Sequence, residues 1–296
     1  MSSVVIPPFS PAGPLRSAAL ATSFGIAAAG FLLPVSFVRW CHPGDPTHRE
    51  AGRWLRRFGR HVVRSAWFWR FTIEGEPPPD IRERPYVVVA NHRSAADPFL
   101  LSHVPWDMRW VVKRELLDVP LVGALIRMAG DIPVDRASRA DAARLLDECE
   151  ATLKAGLSVM LFPEGTRNPA RLGAFRSGAF HLAIRAQVPV LPIALAGTPA
   201  CWAPRSPWFG RGRAVARILE PASTEGMGPR DVRLLTDNVR RRILDELRVL
   251  DAESYAGPVS SLPRSASSRV VGAAADAPSV LPVEPFGASR REEPRA

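Results

Sequence analysis

Two short polar segments, each following an apolar run, contain the residues of this sequence best suited to chemistry. They are Asn91-His92-Arg93-Ser94-Ala95-Ala96-Asp97 and Phe162-Pro163-Glu164-Gly165-Thr166-Arg167. A histidine can act as a general base, and an arginine guanidinium matches phosphate oxygens. Together the segments favour acyl transfer to a hydroxyl of an anionic lipid, because that reaction needs a proton acceptor and a phosphate anchor.

The first segment lies between a predicted strand and a predicted helix. The apolar run from Tyr86 to Ala90 predicts a buried strand, and Asp97-Pro98 predicts a helix start with Asp97 as the N-cap. Over this spacing the Asp97 carboxylate can accept a proton from one nitrogen of His92, which leaves the other nitrogen free as a base. The alternative is a histidine bonded to backbone and an aspartate that only caps the helix.

The second segment follows another predicted strand, residues 157–162. Gly165 permits close backbone approach, Thr166 offers a hydroxyl, and Arg167 offers a forked cationic donor. These properties predict an anion site. The alternative is a surface turn with a solvated Glu/Arg pair.

Two further cations follow predicted strands. The segment from Gly130 to Arg136 is strand-like and ends in an arginine that could reach the same anion. Lys113, one of two lysines in the chain, closes a strand predicted over 108–112. Each also fits an ordinary exposed strand end facing water.

Four blocks resemble the glycerolipid acyltransferase family, and they span roughly residues 75–220. They are Asn-His-x4-Asp, Gly-x-Ile-x-Val-x-Arg, Phe-Pro-Glu-Gly-Thr-Arg and Val-Pro-Val-x-Pro-Ile, at 91–97, 130–136, 162–167 and 188–193. The departures are Pro133, where an aromatic or aliphatic residue is common, and Arg176-Ser177-Gly178, where Lys-x-Gly is common. For the fourth block, the sequence by itself favours a buried strand.

The resemblance implies an α/β fold with a single mixed sheet flanked by helices, and acylation of lysophosphatidic acid to phosphatidic acid. It implies His92 as the base, Asp97 as its partner, and an acceptor-phosphate site formed by Arg136, Glu164, Gly165, Thr166 and Arg167. Asn91 and Lys113 are additional candidates. The co-substrate would be acyl-CoA or acyl carrier protein, with no cofactor and no metal. Another lysolipid or an amino-acid-derived lipid stays open as the acceptor.

The N-terminal part predicts membrane association. Residues 17–38 carry no charge, and this segment is long enough to cross a bilayer. A secretory signal or an interfacial helix would also fit. Eight arginines and two acidic residues follow over 39–70, interleaved with aromatic residues. This pattern predicts a basic amphipathic helix at an anionic membrane interface and a catalytic domain on the cytoplasmic face. A non-enzymatic protein that binds membrane or nucleic acid through this segment is the rival interpretation, but no nucleic-acid module accompanies the arginines.

The predicted organisation has four parts. They are a membrane-embedded segment over 1–40, the interfacial helix over 41–74, an acyltransferase domain over 75–252 and a disordered tail over 253–296. Helices are predicted over 98–104, 115–128, 138–155, 176–187 and 230–250. The last carries a helical stripe predicted to pack in the core: Val232, Leu235, Val239, Ile243, Leu247 and Leu250. Three widely spaced cysteines support neither a disulfide framework nor a zinc site.

Overall fold

The computed structural model describes residues 11–135, 139–255 and 268–271, and these form an eight-stranded sheet flanked by helices. The strands are β1 Trp69–Glu74, β2 Val87–Ala90, β3 Met108–Lys113, β4 Ile132–Val134, β5 Ser158–Leu161, β6 Val190–Ala196, β7 Gly212–Ile218 and β8 Ser268–Val271. Their spatial order is β4-β3-β5-β2-β6-β7-β1-β8. The first five strands in that order are parallel to one another, whereas β7 is antiparallel to β6 and β8 is antiparallel to β1. The expected single mixed sheet is therefore confirmed.

Helices cover both faces of the sheet. They are α1 Pro14–Cys41, α2 Arg49–Ser65, α3 Asp97–Leu101, α4 Val122–Ala129, α5 Arg139–Lys154, α6 Gly178–Ala186, α7 Thr198–Cys201 and α8 Val232–Tyr255. Side chains of β2 alternate between the two cores: Val88 and Ala90 pack with residues of α3, whereas Val87 and Val89 pack with residues of α6 and α8. All four are fully buried, which explains why this strand reads as a continuous apolar run.

The apolar stripe predicted on the last helix is core, as expected. Val232, Leu235, Val239, Ile243, Leu247 and Leu250 are all at most 5% exposed and lie in the same core as β2 and α6. Residues 190–193 of the fourth sequence block form the first part of β6, which is buried along its whole length, so the prediction of a buried strand there is also confirmed.

The helix predicted over 115–128 is wrong in its first half. Residues Arg114–Asp118 form a short 3₁₀ helix, and α4 begins only at Val122. Pro120 lacks an N–H group, and Leu121 has a φ of 61°, outside the helical region. These two residues therefore separate one predicted helix into two short ones.

The single basic helix predicted over 41–74 is also wrong, because α2 ends at Ser65 and β1 follows. In β1 the side chains alternate, so that Trp69, Phe71 and Ile73 are buried. Arg56 of α2 is buried as well and forms an ion pair with Asp107. Some of the aromatic and cationic residues of this segment are therefore buried in the protein and do not face a membrane.

Helix α1 lies along the domain and touches it near both ends. Near the first end, Ser17 Oγ accepts a hydrogen bond from Phe209 N at 3.2 Å. Near the other, Val35 is fully buried and Ser36 Oγ donates to Met128 Sδ at 3.4 Å. The opposite face is open, and its large apolar side chains are more than half exposed: Leu15, Ile26, Leu33, Phe37 and Trp40.

The tail predicted to be disordered, 253–296, falls mostly outside the described residues. Two short parts of it are described. The first three residues continue α8 to its end at Tyr255, and Ser268–Val271 form β8, which pairs with Phe71 through Glu74 of β1. Disorder over the rest of this range stays a prediction.

Asp131, just before β4, is a buried carboxyl group remote from the loops discussed above. It is 8% exposed, and its Oδ1 accepts a hydrogen bond from Trp110 N at 3.1 Å. Burial raises the pKa of Asp131 from its ordinary 3.8 to about 7, although the Trp110 hydrogen bond and the charges of Arg109 and Arg56 oppose this shift.

Asp131 predicts a specific pH dependence of stability. Because the folded state binds this proton more tightly than the unfolded state, the free energy of unfolding should fall as pH rises from about 4 to about 7. Asp131→Asn keeps the acceptor for Trp110 but does not titrate. It should be more stable than the wild type at pH 8, by roughly 1–4 kcal/mol, and similar to it below pH 4. Thermal unfolding of both proteins across this range is the measurement, and parallel pH profiles would contradict the prediction.

Candidate active site

The polar segments meet at one edge of the sheet because the strands that precede them are parallel. Strands β4, β3, β5 and β2 are neighbours in that order and run in the same direction. His92 follows β2, Lys113 ends β3, and Glu164 follows β5. Arg136, two residues beyond β4, lies outside the described residues. The carboxyl edge of a parallel sheet is the usual position for a ligand in this fold class.

His92 and Asp97 form the pair that their spacing predicts. His92 Nδ1 lies 2.7 Å from Asp97 Oδ2, and the same oxygen accepts hydrogen bonds from the backbone N–H groups of Arg93 and Ser94 at 2.8 and 2.9 Å. Asp97 is fully buried. It is the first residue of α3 and not its N-cap, and no side chain caps that helix. The alternative in which Asp97 only caps a helix therefore does not hold.

The His92 ring is fixed on one face and open at one nitrogen. It stacks on Phe162 with ring centroids 4.1 Å apart and an angle of 15° between planes. Its side chain is 13% exposed, and Nε2 makes no hydrogen bond to any residue that the structure describes. Because Nδ1 is held by a carboxylate, Nε2 is the nitrogen available to accept a proton. Phe162 begins the second sequence block, but the sequence alone assigns it no role at the site.

Glu164 links the two loops and is not exposed to a ligand. It is 6% exposed; its Oε1 accepts from His92 N at 2.8 Å, and its Oε2 accepts from Gly173 N at 2.7 Å and from Asn168 Nδ2 at 3.0 Å. A carboxylate with both oxygens occupied in this way would repel a phosphate. The geometry therefore favours a positioning role, whereas the resemblance implies a place in the phosphate site.

The next three residues continue this loop. Gly165 has a φ of 70°, and a Cβ there would lie 2.9 Å from Arg176 Nε, so glycine is required. Thr166 and Arg167 are exposed, and Arg167 makes no hydrogen bond or ion pair within the described part of the chain. Asn168 N, one residue on, donates to His92 O at 2.8 Å. A guanidinium is thus available beside the histidine loop.

The two additional candidates have different surroundings. Asn91 is fully buried and joins the end of β2 to β6, with Nδ2 donating to Leu195 O at 2.9 Å and Oδ1 accepting from Leu195 N at 2.8 Å. It is a structural cross-link. The Lys113 side chain is 50% exposed and lies 2.7 Å from Glu115 Oε1. Its position at the end of β3 is compatible with an anion at this edge.

Metal ions and thiols are two other possible sources of chemistry. Among the described residues, no group of three or more His, Cys, Asp or Glu side chains could hold a metal ion. The three cysteines are free, and two of them, Cys149 and Cys201, are buried. Burial raises the pKa of Cys149 to about 12 and that of Cys201 further still, so neither thiol forms a thiolate nucleophile near neutral pH.

Comparisons with known proteins show similarity to acyltransferases. The model of the family described as Acyltransferase matches residues 70–196. The 1-acyl-sn-glycerol-3-phosphate acyltransferase alpha of Ovis aries is 37% identical over 177 residues, which cover 59% of this chain and 62% of the sheep protein. The corresponding beta protein of Homo sapiens is 32% identical over 200 residues, covering 65% of this chain and 72% of the human one.

A solved structure has the same fold. The 1-acyl-sn-glycerophosphate acyltransferase of Thermotoga maritima aligns with a TM-score of 0.62 and 27% sequence identity, over 79% of this chain and 97% of that one. This chain therefore spans nearly the whole length of the bacterial structure but under two thirds of the sheep protein. On the human beta protein's identity and coverage, and on the fold shared with the bacterial structure, this chain belongs to the 1-acyl-sn-glycerol-3-phosphate acyltransferase family.

Proposed function

We propose that this protein transfers a fatty acyl group from a thioester donor, acyl-CoA or acyl carrier protein, to the free hydroxyl of lysophosphatidic acid, forming phosphatidic acid. The observation that carries the proposal is the His92–Asp97 contact of 2.7 Å, with Nε2 left without a partner in the described part of the chain. The names of the relatives supply the acceptor, since they act on 1-acyl-sn-glycerol-3-phosphate.

The reaction follows from this geometry. His92 Nε2 takes the proton of the acceptor hydroxyl while Asp97 holds the proton on Nδ1 and stabilises the imidazolium that forms. The hydroxyl oxygen attacks the thioester carbonyl and forms the new C–O bond. When the tetrahedral intermediate collapses, the C–S bond breaks and the thiolate receives the proton from Nε2. The proton and the acyl group are thus both accounted for without a covalent enzyme intermediate.

The test measures the release of free CoA thiol from a long-chain acyl-CoA by the detergent-solubilised protein, with lysophosphatidic acid as acceptor. We expect phosphatidic acid to form in equal amount, and a parallel arm uses an acyl carrier protein donor. If product forms only from another lysolipid, the proposed acceptor is wrong but the proposed reaction, acyl transfer, stands. If neither donor is consumed with any acceptor, the proposal is wrong.

Arg167 is proposed to hold the acceptor phosphate. Its guanidinium is exposed on the loop that contacts the His92 backbone, and a charge-assisted hydrogen bond contributes about 1.5–3 kcal/mol. We therefore expect Arg167→Ala to raise the KM for lysophosphatidic acid by about 10- to 100-fold, with a smaller effect for Arg167→Lys, which keeps the charge but loses the fork. Steady-state kinetics are the measurement. Arg233→Ala, at an exposed arginine of α8, is the control, and an unchanged KM and kcat for Arg167→Ala would remove Arg167 from the site.

We also propose that α1 lies in the membrane interface and does not cross the bilayer. Among the described residues it is the one helix long and apolar enough to span a membrane. However, Ser17 and Val35, about 27 Å apart along a helix, are both buried against the rest of the protein. A spanning α1 would place that protein surface in hydrocarbon. An in-plane α1 inserts only its exposed apolar face, and the arginines after it favour the cytoplasmic leaflet.

Liposome flotation tests this arrangement. The double substitution of Leu33→Glu and Phe37→Glu places two charges on the exposed face of α1, and we expect it to abolish most binding to anionic liposomes. Leu234→Glu, at a 66% exposed leucine of α8, is the matched control and should bind like the wild type. Equal loss in both, or in neither, would contradict the proposal.

A further inference from the structure

Helix α8 reaches both loops of the candidate site, although it lies beyond residues 70–196, which the family model covers. Its apolar stripe packs in the core, and polar side chains at other positions contact the loops at the sheet edge. Two of these, Asp251 and Arg240, each begin a chain of hydrogen bonds that ends at the His92 loop. Nothing in the motifs around His92 or Glu164 indicates either connection.

The first chain runs through Arg93. Arg93 Nη1 and Nη2 donate to Asp251 Oδ1 and Oδ2 at 3.0 and 3.2 Å, which is a bidentate ion pair. The Arg93 side chain is 4% exposed and that of Asp251 is 16% exposed. The backbone N–H of the same arginine donates to Asp97 Oδ2 at 2.8 Å. Anchoring the Arg93 side chain to α8 therefore fixes the backbone of Arg93, which directly follows His92 and binds Asp97.

The second chain runs through the loop that follows β5. Arg240 Nε and Nη2 donate to Gly173 O and Leu172 O at 2.8 and 3.0 Å. The N–H of Gly173 donates to Glu164 Oε2 at 2.7 Å, and Glu164 Oε1 accepts from His92 N at 2.8 Å. A Cβ at Gly173 would lie 2.8 Å from Glu164 Oε2, so the close approach depends on glycine. Arg240 thus supports the carboxylate that holds the His92 backbone.

We propose that α8 sets the position of His92 through these two chains, together called the α8 brace, with Asp251 and Arg240 as positioning residues for acyl transfer. The proposal rests on the function proposed above. A buried ion pair adds little to stability relative to apolar packing, because desolvation offsets the attraction. Its value here is geometric: a general base must lie within hydrogen-bond reach of the acceptor hydroxyl, and a misplacement of about 1 Å costs about 10²-fold in rate.

The main variant is Asp251→Asn, which removes the charge and one of the two bidentate acceptors at nearly constant volume. We expect kcat to fall by about 10- to 100-fold while the KM values for acyl donor and acceptor stay within about two-fold. Asp251→Glu should recover part of kcat. Arg240→Gln, which acts on the second chain, should also lower kcat without changing KM.

The matched control is Glu246→Gln on the same helix. Glu246 pairs with Arg217 of β7 at 2.5 Å, so it ties α8 to the sheet and not to the site loops. If the ion pairs of α8 contribute only to stability, Glu246→Gln and Asp251→Asn should have similar effects on the melting temperature. Their effects on kcat should also be similar. The proposal requires that kcat fall for Asp251→Asn and stay near the wild-type value for Glu246→Gln.

Amide hydrogen exchange of residues 89–97 separates failure of this inference from failure of the proposed function. In the full-length protein, exchange in this segment should be faster in Asp251→Asn than in Glu246→Gln, whether or not lysophosphatidic acid is the acceptor. If the wild type makes no phosphatidic acid but the exchange differs as stated, the function is wrong and the α8 brace stands. Equal exchange and equal kcat in the two variants would overturn the α8 brace itself.

Discussion

His92→Ala is expected to lower kcat by about 10²- to 10⁴-fold, because it removes the only nitrogen base placed at the open edge between the β2 and β5 loops in the described structure. The KM values should change little if the acceptor is held by its phosphate and the donor by other groups. The side chain is mostly buried against Phe162, so the variant also leaves a small cavity. Thermal unfolding measured in parallel will show whether the loss of activity is a loss of fold.

His181→Ala is the control for this variant. His181 is exposed on α6 and contributes to neither site loop, so its replacement should leave both activity and melting temperature near the wild-type values. Retention of more than a few percent of activity by a folded His92→Ala protein would rule out His92 as the general base.

Two substitutions of Asp97 separate its charge from its geometry. Asp97→Asn can keep an oxygen facing His92 Nδ1 and the N–H groups of Arg93 and Ser94, but it cannot neutralise the imidazolium. We expect it to lower kcat by about 10²- to 10³-fold in a folded protein, since stabilising that cation is the role of the carboxylate in such a pair. The KM values should be unchanged.

Asp97→Ala should affect stability as well as rate. It leaves the buried N–H groups of Arg93 and Ser94 without an acceptor, and each unsatisfied donor costs about 1–3 kcal/mol. We expect a clear drop in melting temperature, whereas Asp147→Asn, at an exposed carboxylate of α5, should be neutral. Equal stability of Asp97→Ala and the wild type would show that the loop does not depend on this carboxylate. Full activity of Asp97→Asn would show that its charge is not used.

Much of the sheet could be predicted from the sequence because its strands are continuous apolar runs. Strands β2 and β5 are buried on both faces, so every position is apolar or small, and the polar segments that follow them stand out. The stripe on α8 could also be predicted, because residues on one face of a long helix recur every three to four positions. The common direction of β2 to β6 then follows, because strands joined by crossover helices run parallel.

The segment before the sheet could not be predicted correctly because its local composition does not reveal its partners. Arg56 and Trp69 resemble residues of a membrane-surface helix when only their neighbours in sequence are considered. Asp107, which pairs with Arg56, and Gly210, whose carbonyl accepts a hydrogen bond from Trp69 Nε1, lie 51 and 141 residues further along the chain. Only the fold brings them within reach.

The sequence by itself determined which residues could act as the general base and as the hydrogen-bond donor to an anion, because motif spacing and strand ends are local properties. The tertiary structure decided how they are held. It turned Glu164 from an expected phosphate ligand into a buried link between loops, placed Phe162 against the His92 ring, and joined Arg93 to Asp251 across 158 residues of sequence. Such contacts depend on strand order and helix packing, and a short-range pattern contains no information about either.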